Sequence, residues 1–175
     1  TEVPFDSGEI VINEISYLNS QIFDPKDWLE IYVKSGSHNL FDYSLKDDND
    51  SNLFVFPEET LLRVGEYLIV SRDTASFTIQ FPEVENVIGN IDFGLNSAGD
   101  IVRLYNPVGV LIDSVEFDNN LPWPVPTDTT TFSLELRDPW LLNEIPANWR
   151  ASLLPHGSPG RSNLYEYPQS FNMVE

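Results

Sequence analysis

The sequence predicts an all-β protein, a β-sandwich of about eight to nine short strands. Strand-like segments recur along the 175 residues with turn residues between them, and no long stretch keeps the apolar period of a helix. The connections at residues 18–27 and 72–99 are long and uneven. Such connections suit strands that cross between two sheets better than they suit the regular meander of a barrel.

The first two strands are predicted at residues 9–17 and 27–33. Successive side chains of a strand point to opposite sides of a sheet. The second strand therefore has an apolar face and a mixed aromatic and acidic face, formed by Leu29, Ile31 and Val33 and by Trp28, Glu30 and Tyr32, respectively. The apolar face is expected to contribute to the core.

The middle of the chain predicts four more short strands, at residues 40–46, 53–56, 60–64 and 65–70. The polar run at 47–52 reads as a turn, because its Asp, Asn and Ser side chains compete for local backbone hydrogen bonds. Residues 72–81 are ambiguous. Phe77 and Phe81 have helical spacing, but the threonines and Ile79 among them weaken a helix.

The clearest hairpin joins residues 99–105 to residues 110–117 through Asn106-Pro107-Val108-Gly109. The prolines of 121–126 exclude a central strand and predict an extended surface crossing. Alternation returns in a last strand at 132–137. We therefore predict one domain over residues 9–163, with an N-terminal extension at 1–8 and a C-terminal tail at 164–175.

Composition excludes several classes of function. The 28 acidic and 9 basic residues give a formal charge of -19, which repels nucleic acids and anionic membrane surfaces. Solubility explains this charge most simply, and attraction of calcium or a cationic partner is the alternative. The absence of cysteine excludes disulfides, thiolate metal sites and a cysteine nucleophile. No apolar run is long enough for membrane insertion.

An ordered series of short motifs covers nearly the whole predicted domain. It comprises residues 10–15, 27–32, 43–47, 56–57, 65–70, 99–105, 113–115, 133–136, 146–150 and 157–160. In its order and span, the series resembles the lamin-tail domain family, particularly the bacterial versions found as modules of extracellular proteins. One departure is Asp42-Tyr43, which stands where the family often has Gly-Trp.

This resemblance implies an immunoglobulin-like β-sandwich without catalytic residues. It also implies a module for attachment or recognition. We therefore expect a non-enzymatic interaction or adhesion module, tethered to other domains of a larger bacterial secreted or cell-surface protein. Its partner is a protein or a glycan, its location is extracellular or at the cell surface, and no cofactor is expected.

Two kinds of catalytic site are the alternatives to this expectation. A serine hydrolase triad needs a histidine beside the nucleophile, and the two histidines, His38 and His156, both lie in predicted loops. A glycoside hydrolase needs two carboxylates at a defined separation, which Glu14 and Glu30 supply if their strands pair. The alternatives for these glutamates are a solvated sheet face, or hydrogen bonds from the backbone or from the Trp28 indole.

The best metal candidates are Asp48, Asp50 and Asn52, which alternate like the first half of a calcium loop. Leu53 stands where such a loop requires glycine, and position 60 is threonine instead of glutamate. A flexible acidic turn is the competing interpretation.

The four tryptophans, Trp28, Trp123, Trp140 and Trp149, are candidates for a stacking platform or for the ends of a sandwich core. Trp149 is expected to pack under the closing loop. Trp123 lies between two prolines and is expected to be partly exposed, which makes it the candidate ligand-binding residue. The alternative function, a carbohydrate-binding module that calcium could assist, depends on this residue.

Overall fold

A computed structural model describes residues 8–20, 22–125 and 132–163. The predicted C-terminal tail and all of the predicted N-terminal extension except Gly8 lie outside these residues. The described part is mostly β. Its elements are β1 (Ile10–Ser16), β2 (Trp28–Val33), β3 (Ser37–Asn39), β4 (Ser44–Lys46), β5 (Phe54–Val55), β6 (Leu61–Arg63), β7 (Tyr67–Ser71), α1 (Thr74–Gln80), β8 (Val87–Gly89), β9 (Gly99–Tyr105), β10 (Leu111–Asp118), β11 (Leu134–Leu136), a 3-10 turn (Pro146–Asn148) and β12 (Trp149–Ala151).

The strands form two main sheets and a small ribbon. The larger sheet has the order β12-β11-β1-β2-β7-β8, the second has the order β10-β9-β4-β5, and β3 pairs with β6. All pairs are antiparallel except β7 with β8. The predicted all-β sandwich is confirmed. The described part has twelve strands instead of eight or nine, because segments of two or three residues, such as β8 and β12, give too little pattern to be recognised.

The main core lies between the two sheets. The apolar face of β2 is buried there as predicted, with Leu29, Ile31 and Val33 at most 2% exposed. In the second sheet, β9 alternates as a half-buried strand should. Val102 and Leu104 are buried, and the residues next to them in the strand are only partly buried.

A β-bulge in β1 changes which side chains point outward. Ile12 pairs with Ile31 and Glu14 with Glu30, so Asn13 is an extra residue without a partner of its own in β2. The extra residue lets Ile12 and Ile15 both face the core while Glu14 points to the outer face of the six-stranded sheet. Simple alternation along the sequence cannot produce this arrangement.

Part of that outer face is covered by α1, which confirms the helical turn considered for residues 72–81. The Asp73 side chain caps the helix by accepting a hydrogen bond from the Ser76 backbone N–H at 2.9 Å. Phe77 packs edge-on against Trp28, with ring centroids 5.7 Å apart. Together with Ile69, Phe81 and Val84, these two residues form a second, smaller apolar cluster.

We call residues 152–163 the closing segment, because they cover the next part of the same face.

The predicted 99–117 hairpin is confirmed as β9 and β10, and the described prolines at 122 and 124 lie outside strands. Among the described residues, no helix has the length and apolar character needed to cross a bilayer.

Candidate functional site

Three glutamates meet on the outer face of the six-stranded sheet. Glu14 lies opposite Glu30 on one side and opposite Glu135 on the other, on adjacent strands β2, β1 and β11. Their exposed fractions are 0%, 0% and 1%. Charged carboxylates are almost never buried this completely unless they are paired or hydrogen-bonded. We call Glu14, Glu30 and Glu135 the glutamate cluster.

The closing segment supplies hydrogen-bond donors to all three. The Ser158 backbone N–H donates to Glu14 Oε1 at 2.9 Å, and the Gly160 N–H donates to Glu30 Oε2 at 2.6 Å. Ser158 Oγ lies 2.9 Å from Glu135 Oε1. The segment is thus fastened to the sheet through the cluster.

Side chains of the sheet and of the segment's end complete this network. Ser133 Oγ donates to Glu14 Oε1, and Asn13 Nδ2 donates to Glu30 Oε1 at 2.8 Å. The segment ends at Asn163, whose Nδ2 donates to the backbone carbonyls of Asn13 and Leu136, each at 3.0 Å. Two of these bonds, from Ser133 to Glu14 and from Asn163 to Asn13, join residues more than a hundred positions apart.

The cluster contains more negative than positive groups. Arg150 Nε donates to Glu135 Oε2 at 3.2 Å, and no other salt bridge among the described residues reaches the three carboxyls. Burial, followed by the charge of Glu135, raises the pKa of Glu14 to about 8. Burial and the charge of Glu14 hold the pKa of Glu30 well above its usual value. The cluster therefore retains protons at neutral pH.

The geometry around Ser158 leads to the same conclusion. Its Oγ lies 3.3 Å from Glu14 Oε2, 2.9 Å from Glu135 Oε1 and 3.1 Å from Asn163 Oδ1. A hydroxyl has only one proton to donate, and the amide N–H groups of Asn163 are both used on backbone carbonyls. A proton on a carboxyl is needed to turn a second of these contacts into a hydrogen bond, with Ser158 Oγ as the acceptor.

Glycine is required where the closing segment approaches most closely. Gly157 has φ +97°, and a Cβ there would lie 2.7 Å from Ser133 Oγ. Any larger residue would combine a strained backbone with a steric clash against the cluster.

This arrangement is unsuited to glycoside hydrolysis. A sugar must reach both carboxylates of such an enzyme, but Glu14 and Glu30 are fully buried and bonded to the closing segment. The interpretation of a solvated face is also wrong. The expected backbone bond to Glu14 is found, but the expected Trp28 bond is not, because Trp28 Nε1 has no hydrogen-bond partner among the described residues.

Beyond the closing segment, the same face opens into a pocket of about 250 Å³. Tyr32 of β2 and Tyr67 of β7 pair in register there, with ring centroids 4.7 Å apart. Trp140, which follows β11 in the chain, is 38% exposed and also lines the pocket. We call this the Tyr32–Trp140 pocket. Alternation along β2 predicts that Tyr32 lies on this face, but no local pattern predicts that Tyr67 and Trp140 join it.

The family model described as Lamin Tail Domain matches residues 4–119, more than half of the chain. The chain belongs to the lamin-tail domain family. Members are immunoglobulin-like domains, generally non-catalytic and often used for protein interaction. The predicted family and fold are therefore confirmed. No curated protein matches the chain.

The family match ends just after β10 of this lamin-tail domain. Glu135, β12 and the closing segment lie beyond it. Glu14 and Glu30 are thus inside the matched region, whereas the residues that cover them are outside.

The structure corrects the expectation for Trp123. This residue is 5% exposed, and its ring packs against Trp149 with centroids 5.8 Å apart. Its flanking prolines do not keep the indole in solvent, because the ring turns into the main core. The premise of its ligand-binding role, an exposed ring, is not met. Trp149 is buried in the main core, at 1% exposed, and its Nε1 donates to the Asn143 carbonyl at 2.7 Å, whereas its expected place under the closing loop stays a prediction.

The calcium candidates lie in one turn of the lamin-tail domain but are engaged separately. Asp50 Oδ1 pairs with Arg103 at 3.0 Å, and Asn52 Nδ2 donates to Asp47 Oδ2 at 2.7 Å. Asp48 instead approaches Asp47 and Asp100, whose carboxylate oxygens accept hydrogen bonds from the surrounding turn. The acidic turn is thus held by its own hydrogen bonds and by Arg103, and calcium binding stays an untested prediction.

The prediction that both histidines lie in loops is wrong for His38, which lies in β3 and pairs with Leu62, whereas His156 lies in the closing segment. A His38 ring nitrogen is 2.8 Å from the Ser35 carbonyl oxygen, and the His156 ring stacks on Phe23 with centroids 3.6 Å apart. These contacts place both histidines in local packing roles.

Proposed function

We propose that this lamin-tail domain is a non-catalytic interaction and adhesion module of a larger bacterial protein that is secreted or held at the cell surface. The observation that supports this most is the sealed glutamate cluster. The acidic pair considered for glycoside hydrolysis, Glu14 and Glu30, holds the closing segment in place and is fully buried. The chemistry of these residues is structural, which leaves recognition to the surface.

Charge supports the choice of partner. A formal charge of -19 disfavours nucleic acids and anionic membranes, so a protein or a glycan is the better partner class. The family provides the same coarse assignment, since its members often mediate protein interaction.

Deletion tests the proposed attachment. We would remove residues 9–163 from the full-length natural polypeptide and measure how much of it stays on the producing cells after washing. The proposal predicts that retention is lost while the activities of the other domains persist. Unchanged retention would overturn the attachment role.

A second measurement tests the absence of catalysis. The intact domain is assayed on a panel of aryl glycosides beside the double variant Glu14→Gln/Glu30→Gln. No turnover is expected from either protein. Turnover by the wild type that disappears in the double variant would contradict the proposal.

A further inference from the structure

The Tyr32–Trp140 pocket lies where the coverage of the six-stranded sheet ends. Along β2, Trp28 is covered by α1 and Glu30 by the closing segment. Tyr32 is the next residue on this face and is only half-buried. The closing segment reaches it, since Ser162 and Asn163 line the pocket. Among the described residues, a cleft with aromatic walls lies on this face next to the closing segment.

The pocket offers flat apolar surfaces. The Tyr32 and Tyr67 rings are inclined by 37° to each other, and Trp140 has more than a third of its surface in solvent. Lys34 Nζ lies 5.4 Å from the Trp140 ring centroid. Aromatic faces of this kind bind the C–H side of a ring-shaped ligand at little entropic cost, because they are already held in place.

The pocket also offers polar groups of both kinds. Arg137 brings N–H donors, and Asp138 brings a carboxylate acceptor. Burial, followed by the charge of Glu30, raises the pKa of Tyr67 to about 12, so that its hydroxyl stays neutral at physiological pH. Donors and acceptors thus surround the rings, as a ligand with several hydroxyl groups requires.

One lining residue is short of a hydrogen-bond donor. Asn13 is 2% exposed, and its Nδ2 is used on Glu30, but its Oδ1 has no hydrogen-bond partner among the described residues. A buried carbonyl in this state is costly. A ligand hydroxyl would relieve it after a shift of the Asn13 side chain, because Oδ1 has almost no solvent-accessible surface.

Charge selects among ligand classes. A cation would meet Lys34 and Arg137 beside Trp140, and an anion would meet the Asp138 carboxylate. A neutral ligand avoids both conflicts. The volume of about 250 Å³ is below the range of roughly 300–1,000 Å³ usual for drug-sized ligands, so it suits a single ring.

We propose that the Tyr32–Trp140 pocket binds one sugar ring of a glycan, whose neighbouring units extend into solvent. This rests on the proposed interaction function and deepens it by naming the ligand class and the site. It also moves the carbohydrate alternative away from Trp123, which is buried, to an aromatic group that is accessible.

Titration with soluble oligosaccharides tests the site directly. The probes are hexamers of glucose, N-acetylglucosamine, mannose and xylose, followed by amide and indole NMR shifts of the intact chain. At least one hexamer should bind saturably and shift the Trp140 indole signal. Trp140→Ala should weaken that binding about tenfold, as the loss of one aromatic contact implies.

Phe41→Ala is the matched control, because Phe41 is 39% exposed but lies outside the pocket. It should bind as the wild type does. Tyr32→Phe, which keeps the ring, provides a milder second variant if Trp140→Ala unfolds. Failure of all four hexamers to bind, or equal binding by wild type and Trp140→Ala, would overturn the sugar site.

The retention assay separates this result from failure of the proposed function. If deletion of the domain abolishes retention but Trp140→Ala is retained normally, the sugar site is wrong and the adhesion module stands. If deletion has no effect, the proposed function itself fails. Retention lost in both cases, together with hexamer binding, supports both proposals.

Discussion

The glutamate cluster should make this domain less stable as pH rises, and Glu14→Gln should remove part of that loss. Burial, followed by the Glu135 charge, raises the pKa of Glu14 from 4.5 to about 8. Between these values the folded chain keeps a proton that the unfolded chain releases, so unfolding is favoured increasingly with pH. The stability contributed by this proton is fully present below about pH 4.5 and is lost as pH rises through about 8.

The size of the effect follows from the interval between the two pKa values. Each pH unit within it costs about 1.4 kcal/mol, so Glu14 contributes at most about 5 kcal/mol. Glutamine mimics the protonated acid, since its amide accepts from the Ser158 N–H and donates toward Ser158 Oγ. The variant should match wild type near pH 5 and exceed it by several kcal/mol near pH 9.

Urea denaturation followed by tryptophan fluorescence, at fixed ionic strength across this pH range, measures the free energy of unfolding. Burial also raises the pKa values of Glu30 and Glu135. The free energy of unfolding of the variant should therefore still decrease with pH, but less steeply than that of the wild type. Glu58→Gln, which removes the same charge from an exposed position, should keep the wild-type profile. A Glu14→Gln profile that parallels wild type would refute the reasoning.

Two further substitutions test packing in the same measurement. Gly157→Ala should lower the free energy of unfolding by about 2 kcal/mol or more, because it adds a clash with Ser133 Oγ to a positive φ. Its control, Gly109→Ala, should lower it by only about 1 kcal/mol, because nothing lies within 4 Å of the Cβ position there. Trp149→Phe should cost about 2–4 kcal/mol, since it leaves a buried carbonyl without its 2.7 Å donor and opens a cavity, and Trp140→Phe at the surface should cost under about 1 kcal/mol.

The sandwich could be predicted from local pattern because its longest strands alternate clearly. The apolar face of β2 and the β9–β10 hairpin are examples, and both were predicted nearly to the residue. Strands such as β8 and β12 contain only three residues and depend on pairing across the sheet. Periodicity cannot reveal them, because so short a segment contains less than two full alternations.

The site was less predictable, because long-range contacts determine it. The pairing of Glu14 with Glu30 was considered from their strands, but the bulge at Asn13 and the cover from Ser158 depend on residues far away in the chain. For Trp123, a local signal predicted the wrong environment. Its prolines suggested exposure, but its packing against the core was stronger than that local signal.

Hydrogen exchange at Ser158 and Gly160 tests most directly whether the glutamate cluster is a sealed structural fastening. Their amides donate to Glu14 and Glu30 in the closed structure. If the cluster is sealed, both amides exchange as slowly as those of central strand β1, through global unfolding. Exchange as fast as in the exposed hairpin turn at 107–109 would contradict it, because the carboxyls would then be open to solvent and to a substrate.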